Sequence, residues 1–365
     1  MLKVGIVGLP NVGKSSLFNA LTAAGVPSEN FPFCTVDPNV GTVEVPDPRL
    51  DHIHELVGST RKVPTVIHFV DIAGLVAGAS QGEGLGNRFL SHIREVDAIA
   101  HVLRCFDDPN VTHVSGTVDP VRDRDIVETE LVLADLESIE RRRDRLAKKA
   151  KSGEKDAQKE LALVERVHAL LAAGRPARLL EVEPEERKLL KQLALLTAKP
   201  VLYVLNVSEG DLPAGTNPFT EAVEAAIRSD GSERTVAVSS RVESELAELD
   251  PAERAEFLES LGIEERGLDR LVREAYTLLD LITFFTAGEN ESRAWTVRRG
   301  AKAPEAAGEI HSDFERGFIR AETIHYDEFV RMGSLKRARE EGRIRSEGKE
   351  YVVQDGDIVL FRFNV

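Results

Sequence analysis

The sequence predicts an α/β protein with a mostly parallel sheet, interrupted by a helical hairpin and followed by a small α+β module. Three observations carry this reading. First, short apolar strands at Leu2–Val7, Val66–Val70, Ile99–Cys105, Val201–Leu205 and Thr235–Val238 are separated by helical patterns. Strands spaced by helices imply parallel pairing with both sheet faces covered. Second, that alternation stops between about Ile126 and Leu195. There Val132, Leu136, Ile139, Arg143 and Leu146, and then Leu161, Val164, His168 and Leu171, step by threes and fours, as along the seam of two paired helices. Third, after Leu279 the texture becomes short strands at Phe284–Thr286, Trp295–Val297, Tyr351–Val353 and Ile358–Phe363, around a helix near Tyr326–Arg331.

The remaining elements follow from their flanks. Val40–Val45, bounded by turn residues, reads as an edge strand. The polar, glycine-containing stretch Lys151–Asp156 reads as the tip of an antiparallel hairpin. Pro200 ends the helical stretch, and the sheet resumes at Val201, so the hairpin is an insertion. The expected domains are therefore 1–125 with 196–279 for the sheet, 126–195 for the hairpin and 280–365 for the terminal module.

Composition excludes several classes. The chain has 365 residues, 42% apolar and 30% charged, with no low-complexity tract. Its apolar runs are too short to cross a bilayer, so no membrane partner is expected. Two cysteines, Cys34 and Cys105, make no disulfide framework or metal spacing, which suits a reduced cytoplasm. A net charge of −15 argues against coating nucleic acid with the whole surface. Yet Arg141–Lys159 holds nine Lys or Arg against three Asp or Glu, a local +6. Such a stretch is either a dedicated polyanion contact or a solvated helix face.

The chemistry begins at Gly8-Leu9-Pro10-Asn11-Val12-Gly13-Lys14-Ser15, which follows an apolar strand and opens a helix at Ser16. Gly, four residues, Gly, Lys, Ser is the P-loop pattern. Its glycines let backbone N–H groups of Asn11 to Ser16 turn towards phosphates, and the helix N-terminus adds positive potential. Lys14 is expected to reach the β- and γ-phosphates, and Ser15 to place a hydroxyl on Mg²⁺. Asp71, in Asp71-Ile72-Ala73-Gly74, ends a strand beside the P-loop strand and suits the second shell of Mg²⁺. Gly74 can donate its N–H to the γ-phosphate. Thr35, in the loop before the edge strand, can close the Mg²⁺ shell. The segment from Leu75 to Asn87 has glycines at 78, 82, 84 and 86, so the γ-phosphate could order it.

Taken with Asn30–Thr35 and Asp71–Asn87, the P-loop resembles that of the Obg group of translation-factor-type GTPases. The resemblance is closest to the YchF subfamily, or Obg-like ATPases, and extends over essentially the whole chain. It implies an NTP-hydrolysing switch that uses Mg²⁺ and contacts the ribosome and its RNA, without DNA specificity; a monomer is the default expectation. Two departures from ordinary GTPases occur here. Leu75 stands where many have the water-orienting glutamine, and an alkyl chain cannot hold a water. The base-reading Asn-Lys-x-Asp becomes Asn206-Val207-Ser208-Glu209, which dismantles the guanine reader. The resemblance then implies ATP over GTP, with Asn206 and the Val207 backbone at the base edge, Glu209 in the altered position, and Ser239-Ser240 packing on the base. For the missing glutamine the candidate is His113, in a loop after the strand Ile99–Cys105, where loops face the ligand.

The terminal module resembles a ubiquitin-like TGS domain, carried by Arg293–Thr296, Ala306–His311, Asp313-Phe314, Gly317–Ala321 and Asp355–Ile358. Residues 280–365 hold 14 basic and 16 acidic side chains, so charge alone does not make the module an RNA binder. Trp295 reads as core. Three alternatives remain open: an Obg-type GTPase binding RNA, a nucleotide-sensing scaffold with negligible hydrolysis, and a metabolic kinase. The last would need an acceptor pocket and a base, for which no motif is present.

Overall fold

The computed structural model describes residues 2–23, 39–72, 74, 85–229 and 234–364. They form two compact units, Met1–Val43 with His68–Glu274, and Glu44–Ile67 with Ala275–Val365.

The chain opens with β1 (Lys3–Val7), α1 (Lys14–Ala23) and β2 (Val40–Glu44). Next come α2 (Pro48–Val57) and β3 (Arg61–Val63), which belong to the second unit. The first unit resumes through β4 (Val66–Asp71), α3 (Leu85–Glu95) and β5 (Ala98–Arg104). The hairpin helices are α4 (Pro120–Lys151) and α5 (Lys155–Ala172), followed by the short α6 (Arg187–Gln192). Then come β6 (Val201–Asn206), α7 (Pro218–Ser229), β7 (Thr235–Val238), α8 (Ser240–Glu248), α9 (Pro251–Ser260) and α10 (Gly267–Leu278).

The first sheet has the order β2-β4-β1-β5-β6-β7, with parallel pairing from β4 through β7. The predicted parallel sheet and its edge strand at Val40 are both present. Every residue of β5 and β6 is buried, as central strands covered on both faces require. Because these strands are parallel, the loops after β1, β4, β5 and β6 all leave from one edge of the sheet, where α/β proteins bind ligands.

The hairpin forms as its sequence spacing predicts. Asp119 caps α4 by accepting from Arg122 N–H at 3.0 Å, and Pro120 occupies the first turn. Val132, Ile139 and Leu146 are buried against Leu163, Val164, Val167 and Leu171 of α5. Leu136 and Leu161 pack on that seam. Arg143 meets His168 across it at 3.1 Å, and Arg142 donates to Glu160 at 2.6 Å. Gly153 turns the tip at φ 90°, a left-handed angle. Thirty-two helical residues carry that tip about 48 Å along α4. At the root, buried Asp135 accepts from the N–H groups of Leu196 and Thr197 and from the Thr197 hydroxyl, at 2.7–3.0 Å. That contact fixes where the chain re-enters the sheet.

The second unit contains β8 (Leu281–Ala287), β9 (Glu291–Arg298), α11 (Ala303–Ile310), α12 (Ser312–Arg316) and β10 (Phe318–His325). It ends with α13 (Tyr326–Met332), α14 (Leu335–Glu340), β11 (Arg345–Glu347) and β12 (Asp357–Phe363). Its sheet order is β11-β10-β12-β8-β9-β3. One face packs Phe284, Val359 and Phe361 on the alanines of α11; the other packs Phe285, Ile324 and Ile358 on Leu50 and Ile53 of α2 and Phe329 of α13. Trp295 lies in the first cluster, stacked on Phe284 with its indole N–H donating to Thr286.

Three sequence readings are corrected here. Residues 48–63 do not belong with the first sheet: β3 pairs in parallel with β9, and α2 covers the second sheet. Tyr351–Val353 is no strand, holding a single bridge from Val352 to Lys302. Phe318–His325, not read as a strand, pairs with both β11 and β12. Among the described residues no helix is long and apolar enough to cross a membrane.

Candidate nucleotide site

The loop between β1 and α1 is shaped for close backbone approach. A Cβ on Gly8 would lie 2.5 Å from the Val102 carbonyl of β5. Gly13 sits at φ 100°, and a side chain there would collide with the amide of Asn206. Asn11 takes a left-handed φ of 62°, which asparagine tolerates.

Lys14 is 7% exposed, and its ammonium donates to the Leu9 carbonyl at 2.6 Å. Burial pushes it down to about 8, and the Asp71 carboxylate pulls it back up. Gly74 lies against this group: a Cβ there would be 3.1 Å from Lys14 Nζ and 3.3 Å from Pro10 N. Asp71 ends β4 beside Ile6 of β1, and burial raises its carboxyl while Lys14 lowers it. Ser15 and Ser16 are exposed on the first turn of α1. The structure thus brings together Gly8–Ser15, Asp71 and Gly74, as their spacing predicts. Thr35 and Leu75 lie outside the described residues, as do residues 76–84 of the glycine-rich stretch.

The base-reading segments converge on the same loop, with roles that differ from expectation. Asn206 is 2% exposed; its amide donates to the Val12 carbonyl at 2.8 Å and its oxygen accepts from Ser240 N–H at 2.9 Å. It therefore works as a staple between the P-loop and α8, rather than as an open group at a base edge. The Val207 N–H extends the β6–β7 ladder by donating to Val238. Glu209 is exposed on the turn Glu209–Asp211. Ser239 is buried, and among the described residues its hydroxyl has no hydrogen-bond partner.

His113 is 6% exposed, with both ring nitrogens engaged. Ser115 N–H donates to Nδ1 at 3.1 Å, so Nδ1 is the acceptor and Nε2 carries the proton. That proton is donated to Asp123 Oδ2 at 2.7 Å, in the first turn of α4. In this arrangement neither nitrogen is open to a water. The residue before it nevertheless touches the P-loop, because Asn11 Nδ2 donates to the Thr112 carbonyl at 3.1 Å.

Sequence reasoning missed Arg104, Asp123 and Asp211. Arg104, 1% exposed, had one visible signal: a guanidinium at the end of a mostly apolar strand. Asp211 accepts through Oδ2 from Ser208 N–H, Ser208 Oγ and Asn217 Nδ2, at 2.7–3.1 Å. Asp123 carries no motif, since its partner His113 lies ten residues earlier, whereas Asp211 closes a capping box with Ser208, a Ser-x-x-Asp signal within four residues.

A cradle of this kind holds a triphosphate for cleavage, and the class that fold and site define is the P-loop nucleoside-triphosphatase. Comparisons narrow it. Residues 281–364 match the family model YchF-GTPase_C, described as a protein of unknown function, and residues 3–127 match MMR_HSR1, described as 50S ribosome-binding GTPase. The chain is 55% identical over 366 residues to the ribosome-binding ATPase YchF of Bacillus subtilis, covering 100% of each. It is 46% identical to Obg-like ATPase 1 of Oryza sativa, covering 100% of this chain and 92% of that one. The solved YchF GTPase of Schizosaccharomyces pombe superposes with a TM-score of 0.90 at 39% identity, covering 99% and 97%. The chain belongs to the YchF family.

Proposed function

We propose that the protein is a cytoplasmic, monomeric, Mg²⁺-dependent ATPase that prefers ATP to GTP and acts as a nucleotide-controlled switch on the ribosome. The observation that carries the base preference is the segment Asn206–Glu209. It has no lysine to cover a base plane, its asparagine is committed to Val12 and Ser240, and its glutamate is exposed. The neighbouring Asp211 is engaged with Ser208 and Asn217. Guanine recognition needs a carboxylate facing N1–H and the 2-amino group, and adenine offers neither donor. Relatives named ribosome-binding ATPases support the same reading.

Ser15 and Asp71 are hard oxygen donors, one hydroxyl and one carboxylate. That set fits Mg²⁺, which takes few protein ligands and leaves the rest to phosphate and water; Thr35 would join them. When bound, the ion supplies charge neutralisation on the phosphates. Lys14 binds the phosphate oxygens, and the Gly74 N–H orients the γ-phosphate. His113 activates the attacking water once its bond to Asp123 opens. The sequestered imidazole also favours a second reading, a nucleotide-sensing scaffold that hydrolyses only negligibly; turnover with and without ribosomes separates the two.

Calorimetry with non-hydrolysable ATP and GTP tests the base preference. ATP is expected to bind at least tenfold tighter, about 1.4 kcal/mol. Tighter GTP binding would make this an Obg-type GTPase that binds RNA.

The ribosomal RNA contact is assigned to the hairpin tip. Lys148, Lys149, Lys151, Lys155 and Lys159 are exposed there, and among the described residues none forms an ion pair. Replacing all five by glutamine is expected to weaken ribosome binding and to flatten its dependence on salt by about 3–4 units of log–log slope, with ATP affinity unchanged. An unaltered salt slope in co-sedimentation would move the contact elsewhere.

A further inference from the structure

Arg104 ends β5 with its guanidinium inside the protein. Its Nε donates to the Phe106 carbonyl at 3.2 Å, Nη1 to Val111 at 2.9 Å and Nη2 to Asp108 at 3.2 Å. The same group lies 4.8 Å from the centre of the Phe106 ring. Its acceptors are neutral carbonyls, and among the described residues it has no ion pair. A buried cation answered only by dipoles is a costly means of closing a short turn. What the planar fork achieves, and a flexible ammonium would not, is to fix three carbonyls at once.

Those carbonyls belong to the loop that carries His113. Val111 is held by Arg104 and the next carbonyl, Thr112, is held by Asn11 of the P-loop. His113 follows directly, and its ring is tied on the far side to Asp123. The loop therefore has a fixed end at the P-loop and a releasable end at α4.

We propose that Arg104 is a positioning residue for hydrolysis: it anchors the β5–α4 loop so that His113, once released from Asp123, pivots about a fixed point beside the P-loop. This rests on the reading that His113 activates water. Arg104 touches neither phosphate nor water in this role, so its loss lowers the rate of cleavage and leaves nucleotide affinity alone.

The test is single-turnover ATP hydrolysis and ATP affinity in the full-length protein, for His113→Ala, Arg104→Lys and the double variant. His113→Ala is expected to slow cleavage about 100-fold or more. Arg104→Lys is expected to slow it about tenfold, since a misplaced group loses rate steeply with distance, with affinity held within about twofold. In the double variant the Arg104 effect should vanish. An undiminished tenfold loss on the His113→Ala background overturns the proposal, as does wild-type cleavage by Arg104→Lys. Wild-type cleavage by His113→Ala would instead remove the reading beneath it. Should Arg104→Lys fail to fold, Asn11→Gly removes the other tether while keeping the left-handed backbone. Its loss of rate must likewise disappear on the His113→Ala background, and its persistence there overturns the proposal.

Discussion

Replacing Lys14 by methionine is expected to lower ATP hydrolysis by about 10³-fold or more, roughly 4 kcal/mol of transition-state stabilisation. The side chain is 7% exposed and is held at the end of the P-loop by the Leu9 carbonyl, with Gly74 beside it. Methionine keeps the stem's packing and removes the charge together with the bond to the Leu9 carbonyl. Among the described residues no carboxylate hydrogen-bonds the ammonium, and its burial already pushes its pKa down to about 8. The free protein therefore carries a cation that it does not fully satisfy, and the triphosphate supplies the missing negative charge. Removing that cation should leave the melting temperature of the nucleotide-free protein equal or higher, while abolishing its rise on adding ATP. Thermal unfolding with and without nucleotide, alongside single-turnover hydrolysis, checks both halves. A rate within tenfold of the wild type would show that another group carries the phosphate charge.

The second large effect concerns residues 44–67. A fragment beginning at Ala275 is expected to show no cooperative unfolding, whereas the same fragment joined to residues 44–67 should melt as a unit. The reason is coverage. Without α2, the sheet face bearing Phe285, Ile324 and Ile358 loses Leu50 and Ile53, and without β3 the edge of β9 is bare. Polar ties go with them. Arg49 bonds Asp47 at 2.7 Å and Asp355 at 2.8 Å, with its guanidinium 5.3 Å from the Phe285 ring centre. Ser59 shares a hydroxyl contact with Ser292 at 2.6 Å. In the full chain, Ile53→Ala should destabilise the second unit by about 3 kcal/mol, because Ile53 is fully buried and the site is closed by aromatic neighbours. Denaturant unfolding followed through Trp295, which stacks in this unit, reports the change. A loss below about 1 kcal/mol would mean that α2 is peripheral.

Much of the molecule can be read without its coordinates because the signals are local. The P-loop pattern lies within eight consecutive residues, and the hairpin's seam repeats within each helix. The strands of the first sheet are apolar runs bounded by turn residues. Even the tip of the hairpin is marked by a polar stretch with Gly153, which takes the left-handed angle that glycine permits.

Segment 48–63 was misassigned for the opposite reason. Nothing in Arg61-Lys62-Val63 distinguishes a strand of one sheet from a strand of another, and its neighbours in space are more than 200 residues away, as Ser59 and Ser292 are 233 apart. Asn206 shows the same limit at a single side chain. Its place after β6 is evident in sequence, but its staple role depends on Val12 and Ser240 arriving on either side.

The sequence alone therefore determined the class of chemistry: a P-loop with Lys14, Ser15 and Asp71 in order, the segment Asn206-Val207-Ser208-Glu209 in place of Asn-Lys-x-Asp, and a basic helical hairpin. Each is a property of residue type at short spacing, which backbone geometry converts to structure with little choice. Tertiary structure alone decided which groups are open and which are committed. Arg104 fixes its loop, His113 is bound to Asp123, Asn206 faces inward, and β3 serves the second unit's sheet. Those outcomes depend on long-range pairing and burial, where a polar group must find its partner elsewhere in the chain.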